Sequence, residues 1–215
     1  MRIDYEDLEI YLQLDHKTFE QLTKGNFQRQ YEYRALLNED ERWDMISSPY
    51  YIFDVIKTRD TGVYEIWYDH IKRSVDRKSS VFDFGAGVGT LETMLIKRYP
   101  LSLTIYEPNL VCNDFITWRL HRRGYYEPTC LPKPHYDYVI SLDMIQRLPD
   151  DQMKLQLKKL LATGDRCFIY VDYDNRHPMF NEVPFDVESY AAQFAVSIDN
   201  FHGLLDIRMV EKECN

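Results

Sequence analysis

One glycine-rich stretch constrains the fold of this chain more than any other, the sequence FDFGAGVGT at residues 82–90. The β-branched and aromatic residues at 81–84 predict a buried strand. Residues 91–98 have the periodicity of a helix. A strand, a glycine-rich turn and a helix in this order place the free N–H groups of a helix N-terminus beside a tightly bent backbone. The stretch therefore predicts a cradle for a nucleotide-like ligand.

Beyond residue 79 the pattern alternates between strands and helices, which predicts a parallel, doubly wound α/β sheet. Strands are predicted at 81–84, 101–106, 125–131, 136–142 and 166–171, with one or two more within 201–210. Helices are predicted at 91–99, 110–123, 152–161 and 186–196. We expect a Rossmann-like, mostly parallel seven-stranded sheet, with its ligand beyond the carboxyl ends of the strands.

The first 78 residues contain only helical patterns, and these predict an all-helical cap. The chain is therefore divided into a substrate-covering cap at 1–78 and a Rossmann-like domain at 79–215. The aromatic side chains of the cap are expected chiefly in its core, and some of them would cover the ligand: Tyr50, Tyr51, Trp67 and Tyr68.

The net charge of −9 argues against a broad nucleic-acid surface, because such binding needs clustered Lys and Arg. The basic run at 119–123 is interpreted as a solvated helix face. Four cysteines without a CxxC pair indicate reduced thiols, and no apolar run is long enough for a membrane span. With an acidic start at residues 1–7, we expect a cytoplasmic protein. The six histidines show no ligand spacing, so no metal site is expected.

The spacing of the glycine loop distinguishes two nucleotide-type cofactors. The NAD pattern needs a third glycine where Thr90 stands. Asp83, two residues before Gly85, would repel a pyrophosphate but suits an ammonium and a sulfonium charge. Glu107 ends the second predicted strand, 20 residues after Gly87, and can accept both ribose hydroxyl protons. The pattern favours S-adenosylmethionine over a dinucleotide.

Several stretches, in the correct order, resemble motifs of class I S-adenosylmethionine-dependent methyltransferases. Residues 81–90 and 105–108 resemble the first two motifs of that family, and residues 136–150 resemble its fourth. Residues 160–165 are similar to the turn before the fifth strand. The resemblance covers roughly residues 79–175 and implies a methyltransferase with S-adenosylmethionine as its cofactor.

The resemblance also assigns roles to individual residues. Asp83 would reach the methionine ammonium of the cofactor, and Glu107 its ribose. Leu142 or Asp143 would lie near the reactive methyl group, and residues 130–131 hold the place of the adenine contact. The implied cofactor-binding set is Asp83, Phe84, Gly85, Ala86, Gly87, Gly89, Glu107, Pro108, Cys130, Leu131, Leu142 and Asp143.

Two residues are candidates for a general base. Asp143 follows the strand at 136–142, and His177 lies in a loop over the same edge of the predicted sheet. Each has a structural alternative, Asp143 as a helix cap and His177 as an exposed loop residue. Many small-molecule members of the family have Glu-His where this chain has Gln146 and Arg147, so a histidine base at that place is absent.

The expected reaction is in-line methyl transfer to an O or N atom of a small molecule or peptide. RNA or a protein side chain as the methyl acceptor is left as an open alternative. A catalytically silent methyltransferase-fold subunit that binds a partner is one alternative, favoured slightly by the missing Glu-His. An NAD-dependent Rossmann enzyme is the other, and Asp83 and Thr90 count against it. An antiparallel strand pair at the end of the sheet would support the methyltransferase interpretation.

Overall fold

The computed structural model of the chain describes residues 2–21, 48, 51–59, 62–125, 133–145, 148, 150–171 and 186–209. Within them the helices are α1 (Arg2–Tyr11), α2 (Tyr51–Arg59), α3 (Gly62–Ser74), α4 (Thr90–Arg98), α5 (Leu110–Arg122), α6 (Asp150–Thr163) and α7 (Val187–Ala191), and residues 16–21 are also helical. The strands are β1 (Ser80–Phe84), β2 (Ser102–Tyr106), β3 (Tyr136–Leu142), β4 (Gly164–Tyr170), β5 (Ala195–Phe201) and β6 (Leu204–Met209). None of these helices is long and apolar enough to cross a membrane.

The chain forms two compact units, each assembled from separate segments. The first, the helical unit, comprises Met1–Glu65, Gly87–Thr93 and Glu107–Tyr126. The second, the sheet unit, comprises Ile66–Ala86, Met94–Tyr106 and Glu127–Asn215. The division of the chain at residue 78 stays a prediction.

The described strands form a six-stranded mixed sheet in the order β2-β1-β3-β4-β6-β5. The first four strands of that order are parallel, and β6 pairs antiparallel with both β4 and β5. The antiparallel pair named as support for the methyltransferase interpretation is thus present at one end of the sheet. This arrangement is Rossmann-like.

The centre of the sheet is apolar on both faces. In β3 every residue except Asp137 is buried, as expected for a central parallel strand covered on two sides. Helix α6 packs with Met153, Leu157, Leu160 and Leu161, which recur at the spacing of one helical face. Gly164 begins β4 directly after α6, and a Cβ atom there would lie 2.6 Å from Cγ2 of Val139. Only glycine allows the helix end and the strand to approach so closely.

The helical unit has its own core. Leu8 of α1, Ile52 and Ile56 of α2, and Phe115 of α5 are completely buried in it. Asp15 begins the helical stretch at 16–21, since its carboxylate accepts hydrogen bonds from the backbone and hydroxyl groups of Thr18. Tyr51 of α2 is also buried in this core, and Trp67 and Tyr68 of α3 are buried elsewhere, as expected for these aromatic residues. Tyr50 lies outside the described residues.

The predicted helix at 186–196 is wrong in its second half. Helix α7 ends at Ala191, and β5 begins at Ala195. Asp186 caps α7 as the pattern requires, accepting from the backbone N–H of Ser189. Residues from Ala195 onward instead pair with β6, a contact that local periodicity does not reveal. The strand predicted at 125–131 falls, apart from Tyr125, outside the described residues.

Candidate functional site

The loop between β1 and α4 takes a conformation that requires its glycines. Gly85, Gly87 and Gly89 have φ angles of 93°, 61° and 72°. Residues with a Cβ atom pay an energetic penalty in this left-handed region, and glycine does not. The alternation of glycine with other residues in the sequence is therefore the alternation that this backbone needs.

The first half of the loop belongs to the sheet unit, where it is fixed to its neighbours. The backbone N–H groups of Gly85 and Ala86 point to the carbonyl oxygen of Tyr106, at 2.8 and 3.4 Å. A Cβ atom on Gly85 would lie 2.5 Å from Cβ of Met144. The ring of Phe84 stacks on that of Tyr106, with centroids 5.1 Å apart. Where it follows β1, the loop is therefore packed tightly against Met144, which lies just after β3.

The second half of the loop belongs to the helical unit, and Glu107 organises it. Oε2 of Glu107 accepts a hydrogen bond from the backbone N–H of Gly87 at 2.6 Å, and Oε1 accepts one from Asn109 at 2.9 Å. Pro108, which lies between Glu107 and Asn109 in the chain, is exposed. At the end of the loop, a Cβ atom on Gly89 would lie 2.3 Å from Cγ1 of Ile116. Gly87 and Glu107, both members of the predicted cofactor-binding set, are therefore in direct contact.

Glu107 retains hydrogen-bonding capacity beyond these two contacts. An ionised carboxylate has about four lone-pair sites, two on each oxygen. Each oxygen of Glu107 uses one of them for a backbone N–H group of this chain. One site per oxygen is left for a pair of donors, and the side chain is only partly buried. These two free acceptor sites fit a pair of adjacent hydroxyl groups.

Asp143 lies at the carboxyl end of β3, in the sheet unit. Its φ angle of 59° places a non-glycine residue in the left-handed region, where aspartate is among the better tolerated residues. Its backbone N–H donates to the carbonyl oxygen of Tyr170 at 3.2 Å, and its side chain is partly exposed. Leu142 beside it is buried, and Asp83 of β1 is 4% exposed. Cys130, Leu131 and His177 lie outside the described residues.

The interpretation of the basic run at 119–123 as a solvated helix face is wrong for its first member. Arg119 is completely buried, although Arg122 is exposed as expected. The signal was present in the sequence, because Arg119 falls on one helical face with apolar residues of α5: Cys112, Phe115, Ile116 and Leu120. Its acidic partners on α1, Asp4 and Asp7, could not be identified without the fold.

A second charged cluster, in the sheet unit, was also missed. Asp206 of β6 is 3% exposed and accepts hydrogen bonds from Arg166 at 2.7 and 2.6 Å. Nε2 of His70 lies 2.9 Å from Oδ2 of Asp206, and the His70 ring stacks on Phe201. Burial of Asp206 favours its neutral form, but the hydrogen bonds from Arg166 and His70 outweigh this, so its pKa lies below its ordinary value.

Two further observations concern polar groups. Glu92, in the first turn of α4, is buried, and neither of its carboxylate oxygens has a hydrogen-bond partner among the residues described. Within the part of the chain that the structure describes, no three His, Cys, Asp or Glu side chains lie close enough together to hold a metal ion.

No protein-family model and no curated protein sequence matches the chain. Solved structures do match it. A candidate S-adenosyl-L-methionine-dependent methyltransferase from Methanococcus maripaludis aligns with a TM-score of 0.55 at 12% identity, over 79% of this chain and 95% of that protein. The N-methyltransferase NodS from Bradyrhizobium japonicum aligns with a TM-score of 0.55 at 14% identity, over 71% of this chain and 99% of NodS.

A third similar structure is that of PigF with S-adenosylhomocysteine (SAH), with a TM-score of 0.55 at 17% identity. The alignment covers 77% of this chain and 60% of PigF. At identities this low the likeness is one of fold. The chain has the fold of class I S-adenosylmethionine-dependent methyltransferases.

Proposed function

We propose that this protein is a class I S-adenosylmethionine-dependent methyltransferase that acts on an O or N atom of a small molecule or peptide. The observation that carries the proposal is the contact between the N–H group of Gly87 and the carboxylate of Glu107 at 2.6 Å. It ties a left-handed glycine of the loop to Glu107, the acidic residue after β2 that the sequence assigns to the ribose of the cofactor. The fold of the three similar structures supports the same class.

Glu107 would bind the ribose of the cofactor. One lone pair on each of its oxygens is committed to Gly87 and Asn109, which fixes the plane of the carboxylate. The remaining lone pairs suit the two vicinal hydroxyl groups of a ribose. A dinucleotide also has such hydroxyls, but it carries a pyrophosphate, which Asp83 disfavours by charge.

The other cofactor contacts follow the family resemblance. Asp83 would bind the methionine ammonium, Leu142 would lie near the methyl group, and Cys130 with Leu131 would contact adenine. The bound cofactor supplies an electrophilic methyl group on a sulfonium. Met144 and Ile116 leave no room for a side chain at Gly85 and Gly89, so only glycine lets the loop follow this course.

The residues of the chain would act mainly by holding the acceptor and excluding water. We propose Asp143 as the group that takes or orients the proton of the acceptor, because its partly exposed carboxylate stands at the carboxyl end of a central strand. His177 is the alternative base. The same proposal includes a seventh strand within 125–131, an all-helical, substrate-covering region at 1–78, and a cytoplasmic location.

Calorimetric titration tests the cofactor first. We expect S-adenosylmethionine and SAH to bind and NAD to give no heat. Binding of NAD alone would overturn the proposal in favour of a dinucleotide enzyme. Failure of all three to bind would favour the alternative of a catalytically silent methyltransferase-fold subunit that binds a partner.

The acceptor class is tested separately, by following SAH release. The purified protein is supplied with S-adenosylmethionine and with the low-molecular-mass, protein or RNA fraction of a cell extract. We expect turnover with the low-molecular-mass fraction. Turnover only with the protein or RNA fraction would contradict the proposed acceptor class while leaving the cofactor assignment intact.

A further inference from the structure

A buried ionic cluster lies within the helical unit, and we name it the Arg119 cluster: Asp4, Asp7, Thr90, Arg119 and Arg123. Nη2 of Arg119 donates to Oδ1 of Asp4 at 2.5 Å, and Nε donates to Oδ2 of Asp7 at 2.8 Å. Arg123 also donates to Oδ2 of Asp7, at 2.5 Å. The side chains of Asp4 and Arg119 are 0% exposed. Charged groups tolerate such burial only when they are paired.

Two members of the cluster, Arg119 and Asp4, form hydrogen bonds with the end of the glycine loop. Nη1 of Arg119 donates to the carbonyl oxygen of Val88 at 2.7 Å. The hydroxyl group of Thr90 donates to Oδ1 of Asp4 at 3.0 Å, the same oxygen that receives Arg119. Asp4 belongs to α1, so this helix is bonded both to the residue that ends the loop and to the arginine that holds the loop backbone.

These contacts complement those of Glu107. The N–H of Gly87 is held by Glu107, and the carbonyl group of the following residue, Val88, is held by Arg119. Gly89 then follows in its left-handed conformation, packed against Ile116. Hydrogen-bond partners therefore fix two peptide groups of the loop, the one between Ala86 and Gly87 and the one between Val88 and Gly89. Rotation of either peptide would break a hydrogen bond in a buried or partly buried place.

Stability alone is a poor reason for such a cluster. Replacing a buried ion pair with well-packed apolar side chains is often neutral or stabilising, because two charges must be desolvated to form it. A buried guanidinium does, however, hold its partners in defined directions through a rigid fork of donors. The Arg119 cluster is thus suited to fixing one backbone geometry of the loop.

We propose that Asp4 and Arg119 are positioning residues that set the glycine loop for cofactor binding, and that docking of α1 is thermodynamically coupled to it. This inference rests on the proposed function, since it assumes that the loop binds S-adenosylmethionine. Coupling is reciprocal: if a docked α1 raises cofactor affinity, the cofactor must stabilise the docking of α1 by the same factor.

The test combines calorimetry with hydrogen–deuterium exchange, using SAH as the probe. In the wild-type chain, saturation with SAH should slow amide exchange in α1 by about 5-fold or more, the lower end of common coupling factors. Asp4→Asn should weaken SAH binding by about the same factor and abolish this protection. Arg122→Ala is the matched control, because Arg122 is exposed and only approaches Asp7, at 3.9 Å. It should leave both quantities unchanged.

A second pair of variants covers the case in which Asp4→Asn does not fold. Thr90→Val keeps the shape of the side chain but removes its hydrogen bond to Asp4, while Thr90→Ser keeps the hydroxyl. We expect Thr90→Val to weaken SAH binding and Thr90→Ser to restore it. A merely structural role would lower the melting temperature without moving the SAH affinity of the folded protein.

The outcomes separate this inference from the proposed function. If wild-type protein binds SAH but α1 exchange does not respond, and Thr90→Val binds SAH like wild type, the positioning role is wrong and the methyltransferase proposal stands. If wild-type protein does not bind SAH at all, the proposed function fails, and the coupling fails with it. Slowed exchange in α1 together with weaker binding by Thr90→Val supports both.

Discussion

The backbone N–H of Gly87 lies 2.6 Å from Oε2 of Glu107, although 20 residues separate them in the chain. The second oxygen of the same carboxylate accepts the N–H of Asn109. A single side chain therefore holds the turn of the glycine loop and the residue that caps α5. Loop and helix start are organised around one negative charge, which an amide cannot replace.

Glu107→Gln is expected to weaken SAH binding by about 10-fold or more, the effect of losing one hydrogen bond to a charged group. A glutamine has one acceptor oxygen, so it cannot accept from both Gly87 and Asn109, and its NH2 group must face one of these donors. Calorimetric titration with SAH measures the effect. Glu65→Gln, at an exposed position of α3, is the matched control. Unchanged SAH affinity in Glu107→Gln would contradict the ribose role.

Alanine substitutions at three glycines can distinguish the energetic cost of backbone strain from that of steric crowding. Gly89 and Gly124 have similar φ angles, 72° and 76°, but a Cβ atom on Gly89 would meet Ile116 at 2.3 Å and one on Gly124 would meet nothing within 4 Å. We expect Gly124→Ala to cost about 1–2 kcal/mol in the free energy of unfolding from strain alone. Gly89→Ala should cost about 1–3 kcal/mol more, because the added methyl overpacks the site.

Urea denaturation of the two variants measures both costs. Gly62→Ala is a third member of the series, since Gly62 begins α3, has no left-handed φ and has open space around its Cβ position. That substitution should be neutral or slightly stabilising. Equal costs for Gly89→Ala and Gly124→Ala would show that Ile116 yields to the methyl group.

The parallel part of the fold could be predicted from the sequence because its signals are local. The strand predicted at 136–142 coincides with β3, and helix α6 ends at Thr163, directly before the glycine expected to stop it. Such segments combine a continuous apolar run or a helical face with clear end signals. Gly87 and Glu107 were each predicted from the sequence as cofactor-binding residues, but the hydrogen bond between them was not.

What the sequence did not reveal depends on pairing between distant segments. The start of strand β5, at residues 195–196, was assigned to a predicted helix because its partner, β6, supplies the hydrogen bonds that decide its state. Arg119 was interpreted as solvated because charge suggests exposure, while its partner Asp4 lies more than a hundred residues away. Long-range ion pairs leave no periodic pattern, so local signals cannot predict them.

Asp206→Asn should remove a pH-dependent part of the stability. The pKa of Asp206 lies below its ordinary value because bonds from Arg166 and His70 outweigh the cost of burial. A lowered folded-state pKa stabilises the fold above the unfolded-state pKa of about 3.9, and this contribution is lost as the pH falls through the folded-state value. At neutral pH the variant should lose roughly 1.5–3 kcal/mol, the range for hydrogen bonds to charged groups, because Arg166 is only partly buried.

Urea denaturation of wild type and Asp206→Asn between neutral pH and about pH 3 provides the measurement. The difference between the two free energies of unfolding should shrink below about pH 4. Asp69→Asn is the control, because the ion pairs of Asp69 with Lys72 and Arg73 are solvent-exposed and contribute little. A difference that stays constant with pH would show that the carboxylate of Asp206 is not what stabilises the cluster.

Cys167 should resist alkylation in the folded protein. Its thiol is completely buried in β4, and burial, with Asp165 and Asp206 adding negative charge, raises its pKa far above the usual range. Iodoacetamide reacts with the thiolate, so labelling at neutral pH should be complete in urea and negligible without it. Peptide mass spectrometry assigns the label to Cys167. Rapid labelling of the native protein would mean that β4 opens readily.

Asp143 allows its charge and its backbone conformation to be tested separately. Its φ of 59° is tolerated by asparagine but strained for alanine. Asp143→Asn should therefore keep the melting temperature and SAH affinity, whereas Asp143→Ala should lower the melting temperature. If Asp143 is the general base, Asp143→Asn should lower the rate of methyl transfer by about 10²–10⁴-fold. Undiminished transfer by this variant, measured as SAH release, would exclude Asp143 as the base and leave His177 as the candidate.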